Sequence, residues 1–213
     1  YQSDFPDALV GAYRLSIAPL KYLEIGHGRA FQFGGDGRGF TFADFPGALF
    51  QTTTSEGADN PHDPRNVNNV LSFDVTVRIP NIQRYIFIAR DAAIYGEMGW
   101  DDTQHGFIYP KQPGGIIGTY LTGFLWDPNL DLRLEYAKST PIMFTHNLYE
   151  DGFTYKGAVL SHFIGTDGNE LYGRLTRWIT QDILLGFSAS GAKIGTTQHD
   201  KVGEVPREKR IAL

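Results

Sequence analysis

Cysteine is absent from this chain, which removes disulfides, thiolate metal sites and thiol nucleophiles at one stroke. A long apolar run is also missing: no stretch of about 18 apolar residues occurs, so no helix of this sequence can cross a bilayer. Strands escape that exclusion, because barrel strands carry only alternating hydrophobicity. Basic charge is in short supply, with 19 Lys and Arg against 24 Asp and Glu and no basic stripe, so nucleic acid is not an expected partner.

Motifs for catalysis and cofactors are thin as well. The six histidines (His27, His62, His105, His146, His162 and His199) show neither His-x-x-x-His spacing nor companion carboxylates, so no metal is expected. Gly34-Gly35-Asp36-Gly37-Arg38-Gly39 is followed by no Gly-Lys-Ser/Thr and no helix start, and reads as an outward loop rather than a phosphate cradle or other cofactor site. Ser161-His162 near Asp167 lacks the serine context of a catalytic triad. The expectation is a protein without cofactor and without enzymatic activity.

What the chain does hold is 25 glycines and 14% aromatic residues, a mixture suited to many strands and tight turns. From Leu71 to Ile79 the odd positions are apolar (Leu71, Phe73, Val75, Val77, Ile79), while Ser72, Asp74, Thr76 and Arg78 between them are polar. Leu130, Leu132, Leu134 and Tyr136 repeat the pattern against Asp131, Arg133 and Glu135. Weaker versions run over 9–18, 22–33, 92–100, 116–126, 155–162, 170–179 and 183–193, so about nine strands are expected. Most are close to the 9–11 residues that a tilted strand needs to cross a bilayer, against about five or six in soluble domains.

Connections add a second signal, since outer-membrane barrels alternate short periplasmic turns with long outer loops. Ala18–Lys21, Pro80–Arg84 and Asp127–Asn129 are short; Gly34–Asn68, Asp101–Gly115 and Ser139–Thr154 are long. Past Thr154 the alternation falters, because Gly165–Asn169 and Thr180–Asp182 are both short, and 201–213 has no assigned role. No fixed-period repeat or linker-like shift in composition divides the chain, so it reads as one segment, 1–213. Patterning alone leaves a soluble β-sandwich open, since its strands alternate in the same way.

Several blocks, taken in order, resemble the Wzi family of capsule assembly proteins. They are Tyr22-Leu23-Glu24-Ile25-Gly26, Gln32 to Arg38, Tyr95-Gly96-Glu97 before Asp101-Asp102, Asp131 to Ala137, Thr145-His146, and Asp151 to Gly157. The resemblance implies an all-β, antiparallel transmembrane barrel of about eighteen strands in the bacterial outer membrane, one that binds capsular polysaccharide and helps hold the capsule. Against that pattern the 213 residues supply about half the strands and show neither a secretion leader nor a terminal aromatic residue, so the intact protein is expected to be longer. Two unpaired edges in lipid leave many backbone groups without partners, so further strands or partner chains are expected to complete the barrel, and outer-membrane lipid is the second expected partner.

Within this reading the polysaccharide-binding candidates are Arg38, Asp101, Asp102, Arg133, Glu135, His146 and Tyr149, hydrogen-bonding groups beside long loops or within the family-like blocks; each also fits a plain lumen-lining role. Trp100, Trp126 and Trp178, near strand ends, are expected in an interfacial girdle. Phe40, Phe42, Phe45 and Phe50 are expected to fold the first long loop into the barrel. A diffusion porin, and an outer-membrane enzyme acting on lipid or glycan, are the rival functions.

Overall fold

The computed structural model describes residues 7–35, 37, 39–50, 67–101, 113–141, 143–144, 149, 152–156, 158–160, 162–195 and 208–212. Its strands are β1 (Ala8–Leu20), β2 (Leu23–Gly34), β3 (Asn68–Ile79), β4 (Asp91–Asp101), β5 (Gly114–Thr122), β6 (Leu130–Lys138), β7 (Thr154–Tyr155), β8 (Ala158–Val159), β9 (Gly168–Trp178), β10 (Leu184–Ile194) and β11 (Glu208–Ala212). Nine of them form one antiparallel sheet in the order β1-β2-β3-β4-β5-β6-β9-β10-β11, while β7 and β8 make a separate hairpin. A six-residue helix, α1 (Phe45–Phe50), follows a short 3-10 turn after β2.

The expected strand over 155–162 does not exist in the sheet. Lys156 adopts a left-handed conformation (φ 51°), which a continuous strand does not accommodate, and the chain turns there into the two-residue arms of β7 and β8. Strand β6 pairs directly with β9 instead, from Leu130↔Arg177 to Lys138↔Asn169. The faltering alternation is thereby resolved. The stretch 139–167 is one long connection, Gly165–Asn169 is the entry to β9 rather than a turn, and Glu208–Ala212 becomes the ninth strand of the sheet. All short connections then lie at one end and all long ones at the other.

Cross-strand register sorts side chains onto two faces. Leu15 pairs with His27, Ile25 with Val75, Phe73 with Met98, Val77 with Ile94, Ile117 with Tyr136 and Leu175 with Phe187. These residues line one mainly apolar face, where Leu15 and Ile17 are 66% and 65% exposed and most of the others stand similarly open. The opposite face carries Arg14, Glu24, Asp74, Arg78, Glu97, Tyr95, Tyr120, Asp131, Arg133, Glu135 and Glu170. A soluble sandwich requires the reverse, with apolar side chains dry between two sheets. Among the described residues no second sheet covers the apolar face.

The short-turn end is held by local contacts. Arg177 Nε donates to Asp127 Oδ2 (2.8 Å), and the Asn129 backbone N–H donates to Asp127 Oδ1 (3.0 Å). Those two donors, the guanidinium first, hold the Asp127 carboxyl below the usual carboxylate range. A depressed folded-state pKa means that the contact stabilises above the ordinary carboxylate pKa and is lost as pH falls through the folded value. Carboxyl-resolved NMR titration of Arg177→Gln is expected to show Asp127 titrating higher than in the parent protein; an unmoved titration would refute the assignment of cause. Nearby, Trp126 and Trp178 are exposed, but register sets Trp178 with Arg174 and Thr176 on the polar side of the sheet rather than on the apolar side that a girdle occupies, and Trp100 is buried at the long-loop end, where it stacks on Phe73 (centroids 5.6 Å).

The phenyl-rich loop departs from expectation in the face it covers. Phe40 and Phe45 pack against Phe31 and Phe33 of β2, which register places on the apolar side of the sheet and not on the polar side. Gly11 of β1 explains the choice. A Cβ there would lie 2.8 Å from the Phe31 ring, so its absence leaves a bay in which Phe31 lies and on which the loop builds a small core with Val67 and Leu49. Phe42 stays exposed, and the side chain of Phe50 lies outside the described residues.

Candidate carbohydrate site on the polar face

The polar face is organised in rows that run across the strands. One row places Tyr95, Gly118, Glu135 and Tyr172 side by side, and the next places Tyr120, Arg133 and Arg174. Gly118 sets the geometry of the first. A Cβ at that position would sit 2.6–2.7 Å from the Tyr95 ring, so only glycine lets the tyrosine lie across β5 and reach β6. There the Tyr95 hydroxyl donates to Glu135 Oε1 (2.8 Å) and accepts from Arg133 Nε (3.0 Å), while Arg133 Nη2 donates to Glu135 Oε1 (2.6 Å). Charge-assisted bonds of this kind fix side chains more firmly than neutral ones.

Flanking this triad, the Tyr120 hydroxyl donates to Asp131 Oδ2 (2.8 Å). Arg14 forks onto Asp74 with contacts of 2.6 and 3.2 Å, and Arg78 meets Glu24 at 2.9 Å. Gly26 serves Asp74 as Gly118 serves Tyr95, since a Cβ there would fall 2.0 Å from the carboxylate. The surface offers hydroxyl, carboxylate and guanidinium groups with rings between them, the vocabulary by which proteins bind polyhydroxylated ligands.

Above these rows, the long connection 139–167 folds back over the polar face. Its base is closed by reciprocal bonds: Ser139 N–H donates to the Gly168 carbonyl (2.8 Å), and Gly168 N–H to Ser139 Oγ (2.9 Å). Ile164 is buried on Ala137, Ala192 and Ile116, the small and branched residues of a single row. Met143 lies over Gly99 and Gly114, where a Cβ would approach it to 3.0 and 2.4 Å. His162 Nε2 faces Glu170 Oε2 at 3.4 Å.

Between this cap and the strands is a cavity of about 360 Å³, floored by Ala12, Gly28, Ala30 and Gly99 and reached by Arg14, Ser72, Glu97 and His162. Ligand cavities of about 300–1,000 Å³ with mostly apolar walls and a few convergent polar groups are typical of small-molecule sites. The model of the capsule assembly protein Wzi family matches residues 1–211. The chain belongs to that family. No curated protein matches it.

Among solved structures it is similar to Wzi of Escherichia coli, described as an outer membrane protein involved in group 1 capsule assembly and a carbohydrate-binding β-barrel, with 22% sequence identity and a TM-score of 0.68. The match covers 91% of this chain and 40% of that one, so the chain spans about two fifths of the length of the Wzi structure. At this identity the likeness establishes the fold, an all-β antiparallel sheet of the Wzi barrel type.

Of the sequence candidates, Arg133 and Glu135 stand together in the triad with Tyr95. Tyr149 is fully buried, and its hydroxyl donates to the Gly34 carbonyl (3.1 Å), a bond that ties the cap to the end of β2. Asp101 ends β4, with its side chain outside the described residues, and Arg38, Asp102 and His146 lie wholly outside them. Sequence reading did not name Tyr95, Tyr120, Arg14, Glu97 or His162 among its binding candidates, and the fold brings them to the same face as Arg133 and Glu135. For Tyr95 a signal was present: Gly118 occurs within an alternating strand, and an isolated strand glycine marks close approach of a neighbour.

Proposed function

We propose that this Wzi-family chain is part of an outer-membrane β-barrel whose polar face lines an enclosed, watery lumen and binds capsular polysaccharide, holding the capsule at the cell surface without chemical turnover. The observation that carries the reading is the pairing of an apolar face that, among the described residues, no second sheet covers with a polar face that is hydrogen-bonded in rows and roofed by residues of its own long connection. Lipid is the surrounding in which the exposed leucines, valines and phenylalanines cost nothing. On this reading the outer edges of β1 and β11 pair with further strands, as the backbone in lipid demands. The ligand lies along Arg14, Glu97, Tyr95, Arg133 and Glu135, and Tyr149 acts by holding the cap. Mutually bonded side chains beside a small apolar floor suit the binding of a polyhydroxylated ligand, since they present an array of hydrogen-bonding groups.

The test is equilibrium binding of purified capsular polysaccharide to the detergent-solubilised protein. Arg133→Ala is expected to weaken binding by about tenfold, the cost of one charge-assisted contact. Glu97→Gln, outside the triad, is expected to do so by a smaller factor. Reducing-end assays on the same polysaccharide are expected to show no cleavage. Unchanged affinity in Arg133→Ala, or release of reducing ends, would sink the proposal.

A further inference from the structure

The apolar side of β2, β3 and β4 carries three polar residues that the polysaccharide reading does not use. Arg29 lies opposite Leu71, which lies opposite Trp100, and Asn69 sits two residues along from Leu71 on the same face of β3. They are 5%, 2% and 0% exposed for Arg29, Trp100 and Asn69. Helix α1 comes down on this place, and the Leu49 carbonyl accepts from Arg29 Nη1. Among the described residues, every other side-chain polar atom of the three lacks a hydrogen-bond partner: Arg29 Nε and Nη2, Trp100 Nε1, and both Nδ2 and Oδ1 of Asn69.

Buried polar groups are nearly always satisfied, and a buried cation even more so. The Nη1 bond goes to a neutral carbonyl, so it leaves the Arg29 charge unbalanced. The unused Nε–Nη2 edge is the side of the guanidinium that forks onto two oxygens of an oxyanion. On the same face, Asn69 lies diagonally across from Arg29 on the neighbouring strand and Trp100 one strand further on; their amide and indole N–H groups supply donors for further oxygens, and Asn69 Oδ1 can accept from a protonated one. A group with three or more terminal oxygens and negative charge uses this whole set, whereas a neutral sugar uses none of its charge.

We propose that Arg29, Asn69 and Trp100 form a phosphate-binding site beneath α1. Two sources share that chemistry, a lipid headgroup and free inorganic phosphate. The headgroup source depends on the barrel reading, in which this face meets lipid at its long-loop end; the oxyanion chemistry does not.

Trp100 provides its own reporter, because the chain holds 3 tryptophans and the other two can be replaced. In a Trp126→Phe, Trp178→Phe background in phospholipid-free detergent, inorganic phosphate is titrated against chloride at equal ionic strength. A saturable change in Trp100 emission with phosphate alone is expected, weakened about tenfold or more in Arg29→Gln. Asn69→Asp places a carboxylate beside the guanidinium without altering volume. It is expected to abolish the phosphate response while keeping or raising the thermal midpoint, which separates loss of the site from loss of the fold.

In a second arm the protein is placed in phosphatidic acid bilayers and in neutral glycolipid bilayers. If a headgroup fills the site, the Trp100 signal is already complete in phosphatidic acid, and added phosphate moves it only in glycolipid. If free phosphate fills it, both bilayers respond alike. No phosphate-dependent Trp100 signal in any medium, or an undiminished one in Asn69→Asp, overturns the proposal. Polysaccharide binding is measured independently, so failure of one reading is distinguishable from failure of the other.

Discussion

Exchange of Ile164 for aspartate is expected to release the cap and open the lumen, read as a several-fold rise in conductance of the membrane-inserted protein in planar bilayers. Ile164 is the apolar anchor by which the connection 139–167 sits on Ala137, Ala192 and Ile116. Removing a buried branched side chain and leaving a carboxylate in its place costs about 3 kcal/mol or more. The reciprocal Ser139–Gly168 bonds at the base survive the change, as do the strands, so the barrel itself is expected to persist. Glu170, already at the same row, adds like-charge repulsion to the new aspartate. A conductance equal to that of the parent protein would mean that the cap does not close the lumen. A parent protein already conducting at the level of an open pore would favour the porin reading instead.

The second large effect is expected at Gly118. Leucine there drives a side chain into the space of the Tyr95 ring, whose atoms lie 2.6–2.7 Å from where the Cβ would be. Tyr95 must leave, and with it goes the hydroxyl that joins Arg133 to Glu135. Polysaccharide affinity is expected to fall about tenfold, with about 1–3 kcal/mol lost in stability from overpacking. Tyr95→Phe separates the two consequences, because it keeps the ring and deletes the hydroxyl. It is expected to lose affinity with a nearly unchanged thermal midpoint. Full affinity in both variants would remove the triad from the binding site.

Strand content was the most legible part of this chain. Period-two alternation from Leu71 to Ile79 and from Leu130 to Tyr136 marks β3 and β6 directly, because each has one face that tolerates only apolar side chains. The same rule misreads 155–162, where the chain forms a short separate hairpin instead of a strand of the sheet. Nothing in the periodicity reveals the left-handed Lys156 that breaks the run. The phenylalanine cluster shows a second limit. Composition says that Phe40 and Phe45 are buried, but the side they choose depends on a missing Cβ at Gly11, brought beside Phe31 only by register.

The site was half legible for a related reason. Arg133 and Glu135 are two apart on one strand, so alternation alone puts them on one face. Their partner Tyr95 lies forty positions upstream and joins them through pairing across β5. Tyr149 shows the converse: the sequence offers it as a hydrogen-bonding group beside a long loop, and only the fold reveals that its hydroxyl donates to the Gly34 carbonyl at the end of β2. A hydrogen bond between segments so far apart leaves no trace in local spacing.

The connectivity described above also bears on how the sheet assembles. Each strand lies beside its predecessor in the sheet, so most pairings close small loops and lose little chain entropy. The seams β2–β3 and β6–β9 are different, since the excursions 35–67 and 139–167 must be spanned before either zips. Hairpins β1–β2, β3–β4, β5–β6 and β9–β10 are therefore expected to form as early units; of the three seams that join them, β4–β5 closes across 102–113 and the two widest gaps are expected to close last. Both gaps carry the segments that end up packed on the sheet, so completing the wall and furnishing its surfaces are one event.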